Sequence, residues 1–103
     1  MVHHSKMTKV MKGQWAEFTA AAWLVTKGYL IYPKHQDNDP IDLVAVHRNT
    51  GDVLKLDVKT VSYRKTGRVG DRINRVVNKH QKKIGVTLLY VYPDGRCDFH
   101  GKN

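Results

Sequence analysis

Three charged residues stand in apolar segments of this chain, where charge is costly unless it is paired or bound to a metal. Asp57 and Lys59 lie one residue apart in the stretch Leu54–Thr60, and Asp42 lies near the start of the apolar run Ile41–Val46. Side chains alternate faces along a strand, so Asp57 and Lys59 are predicted to project together. Two carboxylates and an ammonium group on one sheet face are typical of a hydrolytic site that uses a divalent metal.

Magnesium is the cation that this ligand set suits. A protein magnesium site combines one or two carboxylates with waters and phosphate oxygens of the substrate, and Asp42 and Asp57 can supply the carboxylates. The backbone carbonyl of Val58 is a further candidate ligand. The metal would lower the pKa of a bound water, and Lys59 is predicted to hold that water or a non-bridging oxygen. The spacing leaves a second interpretation open, in which Asp57 and Lys59 form a structural ion pair.

The first predicted helix, Lys12–Lys27, adds a fourth candidate. Glu17 is its only acid, and helical spacing places it at the edge of the apolar face. From there it can reach the rim of the sheet and bind a second metal or its water. A solvent-facing helix charge is the alternative. The apolar face itself is predicted from residues three and four positions apart, namely Phe18, Ala21, Ala22 and Val25.

Turn-forming residues divide the rest of the chain into short apolar segments. Five of these segments are rich in β-branched and aromatic residues, which favour strands. Together with two helices they predict one small α/β domain with a central mixed sheet flanked by helices. The predicted strands are Tyr29–Tyr32, Ile41–His47, Val53–Val61, Val86–Tyr92 and Cys97–His100.

The second helix is predicted over residues 71–83. Asp71 suits the N-cap position, and Gly85 follows where the helix would stop. Gln81, near its end, is predicted to be exposed, and the glycine-bearing segment before the helix is expected to be mobile. The residues predicted to face the core are Ile73, Val76, Val77 and Ile84.

The charge of the chain is strongly basic, with 18 lysines and arginines against nine acids and a net charge of +9. Eight of the basic residues lie between Ser62 and Lys83, where Asp71 is the one acid. Such a stripe is typical of proteins that bind the phosphate backbone of nucleic acid, although a solvated helix face or attraction to anionic lipid would give the same pattern. The predicted DNA contacts are Arg64, Lys65, Arg68, Arg72, Arg75, Lys79, Lys82 and Lys83.

The length of 103 residues suits one domain. Residues 1–11 are predicted to form a flexible arm and residues 12–103 the folded domain. The chain has one cysteine, Cys97, and no apolar run long enough to cross a bilayer, which together predict an intracellular protein without a membrane partner. Gly67 and Gly70 lack the continuation of a phosphate-binding loop, so no nucleotide cofactor is expected.

Four segments, in this order and at this spacing, resemble the PD-(D/E)XK nuclease superfamily. Within it the chain is most similar to the archaeal-type Holliday junction resolvases, over about residues 12 to 61. It departs from the resolvase pattern in having Asp57 where glutamate is usual, which the superfamily allows. The segments are Lys12-Gly13-x-x-Ala16-Glu17, Lys27-Gly28-Tyr29, Asp39-Pro40-Ile41-Asp42 and Leu56-Asp57-Val58-Lys59-Thr60.

The resemblance implies a restriction-endonuclease-like core with the order αβββαβ, making residues 12–103 a single nuclease domain. It also implies that Glu17, Asp42 and Asp57 are metal ligands and that Lys59 is the catalytic lysine. Some members of the superfamily have a glutamine near the site at the place of Gln81, although an exposed helical glutamine is the favoured interpretation here. The implied cofactor is Mg²⁺, for which Mn²⁺ is expected to substitute. The implied reaction is hydrolysis of phosphodiester bonds in DNA, releasing a 3′-hydroxyl and a 5′-phosphate.

The expected substrate is a four-way DNA junction. Resolution of a junction needs paired cuts in two strands, and one chain offers one site, so a two-fold homodimer is expected. Little reading of bases is expected from the basic segment. The small size suits a phage-encoded enzyme that acts in the host cytoplasm.

Three other functions remain open from the sequence. The first is a nicking, restriction-type or homing nuclease, or another structure-selective DNA nuclease, on the same core. The second is a non-catalytic module that binds nucleic acid, although such modules usually lose a ligand or the lysine. The third is a basic protein of the membrane surface, which would need a bulkier apolar helix face than the second helix offers.

Overall fold

The computed structural model describes residues 7–36 and 38–99 of the chain. These residues form one α/β domain with a five-stranded mixed sheet and two helices, which confirms the predicted fold class and the predicted order of elements. Among the described helices, none is long and apolar enough to cross a membrane. The elements are α1 (Lys9–Thr26), β1 (Tyr29–Pro33), β2 (Leu43–His47), β3 (Val53–Thr60), α2 (Lys79–Lys83), β4 (Val86–Val91) and β5 (Cys97–Phe99).

The strands lie in the sheet in chain order, β1-β2-β3-β4-β5. β2 runs antiparallel to both β1 and β3, and in the β2–β3 pair Leu43 lies opposite Leu56. β3 and β4 are parallel, with Asp57 opposite Leu88, whereas β5 is antiparallel to β4. The parallel pair requires a long crossover, and this connection contains the basic segment and α2.

Helix α1 covers one face of the sheet. Thr8 caps its N-terminus, where the hydroxyl accepts a hydrogen bond from the Met11 N–H at 3.2 Å. The helix therefore begins before residue 12, so the last residues of the segment predicted as a flexible arm are helical, and residues 1–6 of that segment lie outside the described part. Gly28 ends the helix region with a φ of +92°, and a Cβ there would lie 3.2 Å from Nε2 of His47.

The predicted apolar face of α1 was wrong. Phe18 is 74% exposed and Val25 is 59% exposed. The helix packs instead through Ala16, Ala20 and Leu24, which are buried. Both stripes have helical spacing, and the small side chains of Ala16 and Ala20 let the helix axis approach the sheet closely.

The core lies between α1 and the covered face of the sheet. Its fully buried members include Leu24 of α1, Leu56 of β3, and Leu89 and Val91 of β4. Because side chains alternate along β3, burial of Leu56 and Val58 beneath α1 turns Asp57 toward the opposite face.

The second helix is much shorter than predicted. α2 begins after Asn78, which forms a capping box with Gln81, and Asp71 is not its cap. The residues before Asn78 are not helical, because other partners take their backbone groups: the Ile73 N–H donates to the Ser62 carbonyl at 2.7 Å. Val76, predicted to face the core, is 83% exposed.

Candidate functional site

Asp42 lies immediately before β2, at the end of the β2–β3 pair. Continuing the register of that pair by one residue sets Asp42 opposite Asp57. The Asp42 N–H donates to the Leu56 carbonyl at 2.8 Å, and Asp42 Oδ2 accepts from the Val58 N–H at 2.8 Å. Backbone groups of β3 therefore hold both the main chain and the carboxylate of Asp42 beside Asp57.

Asp57 is 6% exposed and points away from the α1 core. Its Oδ1 lies 3.5 Å from Nζ of Lys59, which is on the same face of β3, as strand alternation predicted. Its Oδ2 accepts a hydrogen bond of 3.1 Å from Nε2 of Gln81. The structure thus brings Asp42, Asp57 and Lys59 to one place.

Two carboxylates lie close together in this cluster, at a site that is partly shielded from water. Burial raises the pKa of Asp57, and the neighbouring Asp42 carboxyl raises it further. The Lys59 ammonium and the Gln81 amide act in the opposite direction on the same pKa. A cation between the two carboxylates would favour the ionised form of both.

Glu17 joins the cluster through a lysine that the sequence did not single out. Nζ of Lys34 lies 3.9 Å from Oε2 of Glu17 and 3.6 Å from Oδ1 of Asp42. Burial raises the pKa of Glu17, the charge of Asp42 raises it further, and the Lys34 ammonium lowers it. Pro33 of β1 pairs with Leu43 of β2, so the next residues, Lys34 and Asp42, lie opposite one another. The pairing register of β1 and β2 is the signal by which Lys34 could have been identified.

The predicted metal ligands do not all converge. Among residues 7–36 and 38–99, no group of three His, Cys, Asp or Glu side chains is arranged to hold a metal ion. Asp42 and Asp57 fit a magnesium ion that takes its other ligands from water and phosphate. Val58 lies beside them in β3, and its carbonyl stays a predicted ligand. Glu17 contacts Lys34, and its role as a metal ligand stays a prediction.

Gln81 is the clearest functional candidate that the sequence interpretation set aside. It was predicted to be exposed on a helix, but it is 8% exposed. Its Nε2 donates to the Pro40 carbonyl at 2.9 Å as well as to Asp57, and its Oε1 accepts from the Asn78 N–H at 3.0 Å. The short α2 and its capping box turn this side chain inward. Gln81 therefore ties the loop before Asp42 to the Asp57 carboxylate.

These residues line an open pocket of about 360 Å³ on the face of the sheet that α1 leaves uncovered. One wall comes from the loop before β2 and the other from the residues before α2. Arg75 adds a guanidinium group to the pocket that contains Lys59. The full lining is Asp39, Pro40, Asp42, Asp57, Lys59, Arg75, Val76, Asn78 and Gln81.

The basic residues predicted to contact DNA fall into three groups. Lys79, Lys82 and Lys83 are exposed on α2, and Arg75 lines the pocket itself. The others lie on the segment Ser62–Arg75, called the basic arm below. Lys65 is exposed there, and the remaining arginines line a second pocket of about 390 Å³, composed of Arg64, Arg68, Asp71, Arg72 and Asn74.

Arg72 holds the basic arm against β4, and the sequence did not predict this structural role. Its Nη1 donates to the Tyr92 hydroxyl at 2.8 Å, and its guanidinium lies 4.5 Å from the centre of the Tyr90 ring. Arg72 is only partly exposed, unlike its neighbours Arg64 and Arg68. Its charge is therefore less available to a ligand than the charges of these neighbours.

Comparison with known proteins gives a structural match and no sequence match. No family model matches the sequence, and no curated protein matches it. The fold is similar to that of a solved bacterial homing endonuclease, I-Ssp6803I, with a TM-score of 0.64 and 17% sequence identity. The match covers 89% of this chain and 64% of the other chain. The two chains therefore share a fold.

Proposed function

We propose that this protein is a metal-dependent DNA endonuclease. The observation that carries the proposal is the convergence of Asp42, Asp57 and Lys59 on one pocket. The basic arm and the lysines of α2 border this pocket, and such a basic surface attracts the phosphate backbone of DNA. The shared fold with an endonuclease supports the proposal.

Each residue of the cluster has a separate task in this reaction. Magnesium, when held by Asp42 and Asp57, supplies Lewis-acid stabilisation of the charge that develops on the phosphate. Lys59 holds a non-bridging oxygen or the attacking water from the same face of β3. Gln81 keeps the Asp57 carboxylate oriented, and Arg75 attracts the phosphate into the pocket.

For the substrate, we propose the four-way DNA junction that the resemblance to archaeal-type resolvases implies. Paired cuts would then require two copies of the chain, which makes a homodimer part of this proposal.

A second candidate substrate is linear duplex DNA. Two observations favour it. The structural neighbour is a homing endonuclease, and the basic arm leads into the pocket through Arg75. A non-catalytic binding module is less well supported, because Asp42, Asp57 and Lys59 are all present and close together.

One experiment separates these possibilities. End-labelled four-way junction, linear duplex and single strand are incubated with the protein in Mg²⁺, in Mn²⁺ and in EDTA. We expect metal-dependent cutting, and symmetric cuts in the junction alone would support the resolvase assignment. Cutting of linear duplex would move the assignment to the second substrate. Binding without cutting in either metal would contradict the endonuclease proposal.

A further inference from the structure

The basic arm folds back on itself as a short two-stranded ribbon held at one isolated antiparallel bridge. The Ile73 N–H donates to the Ser62 carbonyl at 2.7 Å, and the Arg64 N–H donates to the Asp71 carbonyl at 2.7 Å. Tyr63 and Arg72 form an antiparallel bridge between these two hydrogen bonds. The chain therefore leaves the domain, turns and returns as a narrow paired projection.

The root of the arm is fixed to β4. The buried Tyr90 hydroxyl accepts a hydrogen bond of 2.6 Å from the Arg75 N–H. Arg72 stacks on the Tyr90 ring and bonds to Tyr92. These contacts set the direction in which the ribbon leaves the sheet. A projection with a fixed root can present its tip to a partner in one orientation.

The charged side chains at the tip of the basic arm are available to a ligand. Residues 63–71 are all exposed. Within the described ranges, no side-chain hydrogen bond or ion pair involves Arg64, Lys65 or Arg68. The pocket of about 390 Å³ between Arg64, Arg68 and the returning strand is lined by polar and charged residues.

Both ends of the basic arm lie close to the candidate cleavage site. It begins at Ser62, soon after Lys59, and ends at Arg75, which lines the same pocket as Lys59. The major groove of B-form DNA is about 12 Å wide and admits a two-stranded β-ribbon. Arginine is the side chain that most often contacts guanine there, through O6 and N7.

We propose that the basic arm enters the major groove of duplex DNA next to the cleaved phosphate, and that Arg64 and Arg68 contact guanine edges. The location of the cleaved phosphate rests on the proposed endonuclease function, but the reading of bases does not depend on cutting. The arm thus gives the protein a preference for base sequence, in contrast to the little base reading that the sequence predicted.

The test is a binding selection from a pool of randomised duplexes in EDTA, where no cutting occurs. We expect the wild-type protein to enrich guanine at fixed positions. The Arg64→Ala and Arg68→Ala variants should each lose about tenfold in discrimination at one of these positions. The matched control, Lys83→Ala on α2, should weaken binding equally for all sequences and reduce the salt dependence, with a slope smaller by about one.

A second measurement changes the DNA base instead of the protein side chain. A selected duplex is prepared with 7-deazaguanine at the enriched positions, which removes the N7 acceptor and leaves the phosphates unchanged. We expect affinity to fall severalfold for the wild type and to change little for Arg68→Ala at the position that Arg68 reads.

The outcomes separate this inference from the proposed function. An enriched sequence without any metal-dependent cutting would support the arm and contradict the endonuclease. Metal-dependent cutting with a selected pool that remains random, or affinity that is unaffected by 7-deazaguanine, would overturn the inference and leave the endonuclease standing. Failure to bind duplex at all would also overturn the inference.

Discussion

Asp57 is held by three neighbours of different kinds. Lys59 supplies charge, Gln81 supplies a directed hydrogen bond, and Asp42 adds a second carboxylate. Each of these contacts fixes the carboxylate without filling the pocket in front of it. We therefore distinguish groups that would contact the substrate from groups that hold Asp57 in position.

Replacement of Gln81 tests the positioning role. Gln81→Ala removes the hydrogen bonds to Asp57 and to the Pro40 carbonyl, and it leaves a buried carboxylate less well satisfied. We expect a loss of about 1–2 kcal/mol in the free energy of unfolding and a larger fall in kcat than in DNA affinity. Single-turnover cleavage and fluorescence anisotropy measure the two effects. The exposed Gln14 of α1 gives the control, Gln14→Ala, and equal behaviour of the two variants would contradict the positioning role.

Replacement of Lys34 tests the link between Glu17 and Asp42. Lys34→Met removes the ammonium that lies between the two carboxylates, so their repulsion should lower stability in EDTA by about 1 kcal/mol. Magnesium should then stabilise the variant more than it stabilises the wild type, because the added cation replaces the lost charge. Thermal unfolding at several Mg²⁺ concentrations measures this difference. Lys9→Met, at an exposed site on α1, serves as control; an unchanged magnesium response in Lys34→Met would contradict the expected compensation.

At the scale of elements, the packing face of α1 is directly testable. Leu24→Ala removes a fully buried side chain and should cost about 2–5 kcal/mol. Phe18→Ser changes an exposed side chain and should alter stability by about 0.5 kcal/mol or less. Urea unfolding of both variants measures the two free energies. A large loss for Phe18→Ser with a small loss for Leu24→Ala would support the face first predicted from the sequence.

The root of the arm gives a second test at this scale. Tyr90→Phe deletes the hydroxyl that accepts from the Arg75 N–H and keeps the ring that Arg72 covers. We expect a loss of about 1 kcal/mol in stability and weaker DNA binding, because Arg75 is no longer held at the pocket. Tyr32→Phe, at an exposed site in β1, is the matched control. DNA affinity in Tyr90→Phe equal to that of the control would contradict the anchoring role.

The elements that the sequence predicted well are those with strong local signals. β4 is a continuous apolar run between Gly85 and Pro93, and alternation along β3 correctly separated Asp57 from the core residues Leu56 and Val58. The second helix was predicted too long because the non-helical path of the residues before Asn78 depends on hydrogen bonds to Ser62 and Tyr90, which are distant in sequence. Local spacing contains no information about such partners.

The same distinction applies to the site. Asp42, Asp57 and Lys59 could be found from residue types and strand periodicity, because each is a charge in an apolar strand segment. Gln81 could not, because its partner Asp57 is 24 residues away and its inward orientation depends on the shortness of α2. Residue type and strand periodicity identify candidate catalytic residues more readily than they identify the residues that hold those side chains in position.

At the scale of the whole molecule, the basic crossover and the candidate site lie on the same face of the sheet. α1 covers one face, and the opposite face carries the pocket, the arm and α2. Most of the excess positive charge lies in the crossover between β3 and β4. A polyanion attracted to this crossover therefore arrives at the carboxylate cluster and not at the helix-covered side.

The central claim is that the Asp42–Asp57–Lys59 cluster cuts DNA with a divalent metal. The most direct measurement is the single-turnover cleavage rate, in Mg²⁺ and at saturating protein, for the wild type, Asp57→Asn and the exposed-turn control Asp52→Asn. The account predicts a loss of about 10²–10³-fold or more for Asp57→Asn, with thermal stability preserved because the substitution removes a buried charge. The control should cut at the wild-type rate. Cutting by Asp57→Asn at the rate of the control, or cutting by the wild type in EDTA, would contradict the account.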